Sequence, residues 1–368
     1  RLDKKELETL ITNGIESTRY LAVDESRMLA DPARYYKGGK PDLQLFDKKL
    51  YEVNPDDKVA IARAAAEEVL GKDERIISVD SSYSDGEGSS YRLISNGFEG
   101  ESKSTWFSVS ASVSIKGEGE ARPQDYWYDS ALFYDKLTKT GIGAKALERV
   151  LRKLGQKKAK SGKYTMVVDP MNVGNLLSPM LSALYGSALQ QKNSFLMDKL
   201  DTKVASDLFT LRDEPHAIGA NGSRYFDNEG VATEPRTVFD KGVLKTYFID
   251  TYNGKKMDIA PTISAPSRLI LTLGDKDLNG LVADIKQGIL VTGFNGGNSN
   301  SSTGDFSYGI EGFLIEDGKL TQPVNEMNVT GNMVTLWNSL VAVGNDPQPN
   351  RSWQIPSLVF EGVDFSGL

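Results

Sequence analysis

The side chains that most often carry enzyme chemistry are nearly missing from this chain. In 368 residues there is one histidine, His216, and no cysteine. A two-histidine zinc site lacks its second imidazole, and neither a thiol nucleophile nor a disulfide can form. Ser/His/Asp catalysis would have to run through His216, in Asp213-Glu214-Pro215-His216, which reads as a loop with a solvated histidine. Asp227 and Glu229 could supply acid–base work or hard-metal ligands, but Phe226-Asp227-Asn228-Glu229-Gly230 reads first as a turn. Asp275-Lys276-Asp277-Leu278-Asn279-Gly280 matches half of an EF-hand loop, yet the twelfth position, normally a bidentate glutamate, is Lys286. The better reading is a helix starting near Asp277 or Asn279, with Leu281, Val282 and Ile285 facing a core and Gly288 ending it. Gly141-Ile142-Gly143 opens a helix, but Ala146 stands where a dinucleotide fingerprint needs its third glycine, and no buried strand precedes it.

The elements that would position these residues follow from periodicity and punctuation. Leu7, Leu10, Ile11 and Ile15 give a helical stripe within Leu2–Leu21. An extended connection covers 30–53. Asn54 caps a second helix, Pro55 fits its first turn and Gly71 ends it. Short strands follow at Ile76–Val79 and Tyr91–Ile94, with a hairpin turn at Asn96-Gly97. Phe107, Val109, Ala111, Val113 and Ile115 alternate with serines, as in a half-buried antiparallel strand. Helices are expected near 125–137 and 144–155. The polar, lysine-rich stretch from Gly155 to Gly162 predicts a domain boundary, giving an α+β domain over 1–158 and a β-rich one over 159–368. In the second, Tyr164–Val168 reads as a strand, 172–190 as a helix, and 239–244 and 313–320 as hairpins. Residues 288–315 and 340–365 alternate Gly, Asn and Ser loops with short apolar strands, as in a curled sheet or barrel.

Charge and hydropathy narrow the function classes. The net charge is −7, and the densest basic run, Lys157-Lys158-Ala159-Lys160, sits at a predicted helix end, so nucleic-acid binding is not expected. No apolar run approaches the ~18 residues of a membrane-spanning helix. The chain starts at Arg1 without a signal-peptide pattern, and its natural N-terminal segment is expected to be missing. Asn221-Gly222-Ser223 and Asn328-Val329-Thr330 are glycosylation sequons by pattern only.

The segment Gly174-Asn175-Leu176-Leu177-Ser178-Pro179-Met180-Leu181-Ser182-Ala183 resembles the metal-binding stretch of the TldD/TldE (PmbA) peptidase family, once called modulators of DNA gyrase. In the catalytic TldD branch that stretch carries His-Glu-x-x-x-His. Here the two histidine positions hold Ser178 and Ala183 and the glutamate position holds Pro179, the pattern of the TldE/PmbA branch. Further similar strings are Tyr225–Val231, Leu244–Tyr252, Thr303–Gly309, Gly312–Gly318, Val329–Met333 and Val341–Asp346, in the family's order and spacing.

The resemblance implies an α+β architecture and a non-catalytic subunit of a two-subunit cytoplasmic metallopeptidase. Zinc would reside in a TldD-like partner, with no metal and no catalytic residue in this chain, and the two subunits would enclose an extended peptide. A dimer or larger assembly is expected. Asn295, Asp305, Phe306, Ser307 and Tyr308, in the strings Phe294–Asn298 and Thr303–Gly309, are expected as peptide-lining loop residues. Glycines there let a backbone approach, and the aromatics add apolar contact. The alternative is a self-associating peptide-binding or metal-independent hydrolytic protein that works without a TldD partner.

Overall fold

A computed structural model describes residues 3–368; the expected helix start at Leu2 lies outside them. Helix α1 (Lys4–Thr18) is capped by Asp3, whose carboxylate accepts from the Glu6 N–H. It buries none of its residues, and its apolar stripe from Leu7 to Ile15 is exposed. The connection over 30–53 is extended with two short 3-10 turns, Pro32–Arg34 and Lys48–Tyr51. Helix α2 (Pro55–Glu67) starts as its punctuation requires, with Asn54 accepting from the Asp57 N–H at 2.9 Å.

A three-stranded antiparallel sheet follows, built from β1 (Ile76–Ile94), β2 (Phe98–Ile115) and β3 (Gln124–Ala131). The two short strands expected over 76–94 are one long strand. Its Ser- and Gly-rich middle has little apolar signal, but it pairs residue for residue with β2 up to the Asn96-Gly97 turn. The helix expected over 125–137 is instead strand β3. Tyr126, Trp127 and Tyr128 suit a pleated edge paired to β2, and this outweighs the apparent helical spacing. Helix α3 (Ile142–Leu151) then packs with α2 over Phe107, Val109, Ala111, Val113 and Ile115, the buried face of β2. The helices touch at Gly143, where an added Cβ would sit 1.9 Å from the Ala65 carbonyl oxygen. The N–H groups of Gly141, Gly143 and Ala144 donate to the Glu68 carboxylate, so the glycine-rich helix start holds the C-cap side chain of α2.

Next come β4 (Gly162–Val168), α4 (Gly174–Ser182) and α5 (Gly186–Gln190). The single helix expected over 172–190 is broken between the two. Tyr185 is extended and bridges to Phe248, and the Gly186 N–H donates to the Phe248 carbonyl at 2.7 Å. A five-stranded sheet contains β5 (Leu211–Asp213), β6 (Arg236–Asp240), β7 (Val243–Leu244), β8 (Leu269–Leu271) and, later in the chain, β13 (Trp353–Gln354). Helix α6 (Thr251–Met257) lies between β7 and β8.

Helix α7 (Leu278–Ala283), capped by Asp277, ends before Gly288, which already lies in β9 (Gln287–Ser299). Strands β10 (Asp305–Glu316) and β11 (Lys319–Asn332), helix α8 (Met333–Asn338), β12 (Leu340–Val343) and β14 (Leu358–Ser366) complete the chain. Strands β11-β10-β9-β4-β14 run in order, and β14 pairs back onto β11, which closes a five-stranded barrel. The C-terminal half carries five short helices, α4 to α8, more than the one or two expected; at 5–9 residues they are too short to leave a clear periodic trace.

Strand β4 is buried on both faces, which accounts for its unbroken apolar run. Met166 and Val168 join the main core with Leu176, Leu177 and Met180 of α4, whereas Val167 packs with Leu281 and Val282 of α7.

Candidate functional site

Helix α4 is anchored by the strand before it. The chain leaves β4 at Asp169, whose Oδ1 accepts from the N–H and Nδ2 of Asn172 at 3.0 and 2.7 Å. The apolar side of α4 enters the core, and its polar side opens onto a cavity of about 610 Å³. Ser178, Pro179 and Ser182 wall the cavity from α4; Ser299, Tyr308 and Trp353 wall it from β9, β10 and β13. Pro179 has no N–H, so the Asn175 carbonyl one turn earlier has no helical donor. Every side chain in the wall is neutral: hydroxyls, an amide, and aromatic and apolar surface.

The three motif positions do not converge. Ser178 is exposed to the cavity, but Ala183 is 1% exposed and sits within the main core. Residues five apart on a helix point about 140° away from each other. Ser182, four residues from Ser178, is the one that shares its face. With a neutral hydroxyl, an imino ring and a core methyl at these positions, the set does not fit zinc. Among the described residues, no group of three or more His, Cys, Asp or Glu side chains is placed to hold a metal ion.

The peptide-lining residues expected from the sequence lie in strands, not loops. Phe294–Asn298 belongs to β9 and Asp305–Gly309 to β10; the connection between the strands is residues 300–304. Positive φ at Gly296 and Gly297 lets β9 bulge while it stays paired, which explains how a Gly/Asn-rich string remains in a sheet. Tyr308 reaches the cavity. Phe306 is buried behind it, with ring centroids 5.5 Å apart, and Phe294 packs edge-on to Tyr308 at 5.6 Å. Asn295, Asp305 and Ser307 are exposed and are not part of the cavity wall. Asp305 accepts from Asn332 Nδ2 at 2.9 Å and Thr303 Oγ1 at 2.7 Å, and these bonds hold its carboxyl below the usual range. The sequence reading missed Ser299 and Trp353, because no local pattern ties them to α4.

The remaining candidates are committed to the scaffold. His216 is half-buried rather than solvated. Its Nε2 lies 3.0 Å from Thr233 Oγ1, its ring is 5.0 Å from that of Tyr225, and burial lowers its pKa. Asp227 is buried and accepts from the N–H groups of Glu229, Val231 and Ser264. Glu229 accepts from the N–H and hydroxyl of Thr251 at the start of α6; burial nevertheless pushes its pKa up. Both carboxylates therefore brace a turn.

Two family models match the chain. The PmbA/TldA metallopeptidase central domain covers residues 48–154, and the C-terminal domain of the same family covers 161–367. The chain belongs to the PmbA/TldA metallopeptidase family. A solved protein from Bacteroides thetaiotaomicron, named as a proposed modulator of DNA gyrase, is 73% identical, with TM-score 0.99 over 100% of this chain and 84% of that one. The Haemophilus influenzae "Metalloprotease PmbA homolog" is 29% identical over 98% of this chain and 81% of its own length. TldE from Thermococcus kodakarensis has the same fold, at TM-score 0.81 and 22% identity over 100% of this chain and 86% of that one. This PmbA/TldA chain thus presents, where the motif lies, a wall without carboxylate, imidazole, thiol, ammonium or guanidinium groups. No helix among its described residues is long and apolar enough to cross a membrane.

Proposed function

We propose that this chain is the non-catalytic, TldE/PmbA-like subunit of a two-subunit peptidase, in which a TldD-like partner carries zinc and both subunits enclose a peptide. The observation that carries the reading is the α4 cavity: it is large, polar and aromatic, and it contains neither a metal ligand nor a general base. Such a wall can hold a peptide backbone through hydroxyls, the Asn175 amide and the free Asn175 carbonyl, with Tyr308 and Trp353 for apolar side chains. Hydrolysis of the bound peptide then depends on groups from another chain. The acid–base alternative loses support from Asp227, whose two oxygens accept from three backbone N–H groups, and from Glu229, whose Oε2 accepts from the N–H and hydroxyl of Thr251. The reading sets both subunits in the cytoplasm.

The test is cleavage of an unfolded peptide by the purified chain, by a TldD-like protein with His-Glu-x-x-x-His, and by the two together. The mixture alone should reach full turnover and should co-elute as one complex. Zinc-dependent cleavage by the isolated chain, or full activity of the TldD-like protein without it, would overturn the proposal.

A further inference from the structure

Helix α3 and its C-cap carry Lys145, Arg149 and Arg152 at spacings i, i+4 and i+7, one stripe along its side. A stripe of cations at that spacing ordinarily faces open water. Here the three side chains also form one wall of an open cavity of about 530 Å³ between α3 and the barrel half, with Arg149 14% exposed and Lys145 and Arg152 41% and 42% exposed. The volume is that of a small-molecule site. No residue of this wall belongs to the α4 cavity.

The two guanidinium groups are positioned but incompletely satisfied. Arg149 donates through Nε to Asp125 at 3.2 Å and lies 5.5 Å from the Trp127 ring centre. Among the described residues no protein acceptor is bonded to its Nη groups. Arg152 lies over the Phe313 ring at 4.7 Å and is 3.8 Å from Glu148, beyond hydrogen-bond reach. Three carboxylates share the cavity wall: Asp277 and Asp346, which accept from backbone N–H groups of Gly280, Leu278 and Ser357, and Asp169, 5% exposed, whose Oδ1 accepts from Asn172. Leu278 and Leu290 supply apolar surface between the charged ends.

The unbonded Nη groups of two guanidinium ions recognise a carboxylate, and a buried carboxylate in the same cavity recognises an ammonium. A phosphate or other polyanion would be repelled by Asp169, Asp277 and Asp346. We propose that this cavity binds a zwitterion of amino-acid or short-peptide type, its α-carboxylate on Arg149 and Arg152, its ammonium on Asp169 and an apolar side chain against Leu278 and Leu290. Free amino acids and the products of peptide cleavage share this chemistry. The site stands whether or not the chain works with a TldD-like subunit.

Isothermal titration of the full chain tests it with leucine, leucyl-leucine, leucyl-leucine amide, N-acetyl-leucyl-leucine and inorganic phosphate. Saturable binding is expected for leucine or leucyl-leucine. Amidation or acetylation should each weaken it about tenfold, the loss of one charge-assisted contact. Tighter binding of the dipeptide points to peptide products, and tighter binding of leucine to free amino acids. Arg152→Gln, at a half-exposed position, should weaken the carboxylate ligands similarly and leave the melting temperature unchanged. Equal affinity for the capped and free ligands, phosphate competing as well as leucine, or no binding of any zwitterion to the folded chain would each overturn the assignment.

Discussion

Lys153 Nζ donates to Glu311 Oε1 at 2.8 Å, with only 10% and 17% of the two side chains exposed, and this bond ties the end of α3 to strand β10. The same ammonium lies 3.2 Å from Asp125 and donates to the Gln124 carbonyl at 3.0 Å. Asp125 in turn holds Arg149. One buried cation therefore satisfies groups from both halves of the molecule. Lys153→Met should destabilise the protein by about 3–5 kcal/mol, because it leaves a carboxylate buried without its partner. Urea denaturation measures this, and adding Glu311→Leu to the variant should restore part of the loss. No shift in the midpoint would mean that water already satisfies Glu311.

Asp169 gives the fold a pH dependence of defined sign. Burial pushes its pKa up from 3.8 to about 6, against the opposing effects of the Asn172 hydrogen bond and the Arg149 charge. A folded pKa above the unfolded one favours the protonated form. The associated stability is complete below about pH 4 and is lost as pH rises through 6, for a total of about 3 kcal/mol. Asp169→Asn should remove that dependence, so its stability relative to the parent protein should rise between pH 4.5 and 7. Parallel stability curves for the two proteins would show that Asp169 titrates normally.

The placement of the motif positions on α4 predicts which histidine pair can bind zinc. Ser178→His with Ser182→His puts two imidazoles on the cavity face at i, i+4, and the variant should gain zinc binding with little loss of stability. Ser178→His with Ala183→His forces an imidazole into the core. It should lose several kcal/mol, roughly 2–5, and bind no more zinc than Ser178→His alone. Metal analysis with thermal denaturation separates the two. Equal zinc uptake by both variants would mean that Ala183 can turn outward.

Positions inside and outside the α4 cavity wall should differ in their effect on peptide turnover by the proposed two-subunit peptidase. Ser178→Arg fills the α4 cavity from an exposed position and should lower turnover about tenfold, the cost of misplacing a bound substrate. Ser307→Arg, outside the cavity wall, should leave turnover unchanged. Steady-state assays of complexes with confirmed stoichiometry decide it. Equal losses in both variants would take the cavity out of the peptide path.

What the sequence revealed depended on how local each signal was. Asn54 and Asp277 name their own helix starts, and the alternation from Phe107 to Ile115 names a strand with one buried face, because these signals act within a few residues. The motif frame on α4 was visible for the same reason. Strand β3 was misread because Tyr126–Tyr128 is held by pairing to β2, which a window of its own residues cannot report. Tyr308 was found from its aromatic character in a glycine-rich string, but its separation from Ser307 required the register of β10. The Arg149–Asp169 cavity could not be read at all, since its walls come from segments on both sides of the barrel closure.

That closure also imposes an order of events during synthesis. Strand β14 pairs with β4, laid down about two hundred residues earlier, and with β11. Until β14 has emerged from the ribosome, β4 and β11 remain open edges. At ~5–20 residues per second, the earlier barrel strands wait for seconds with unpaired backbone. The sheet formed by β1, β2 and β3, with α2 and α3 on its buried face, has a core cluster of its own and can begin to fold meanwhile. Chaperone demand in the cell should accordingly peak over the interval in which β9 to β11 are exposed and β14 is still being made.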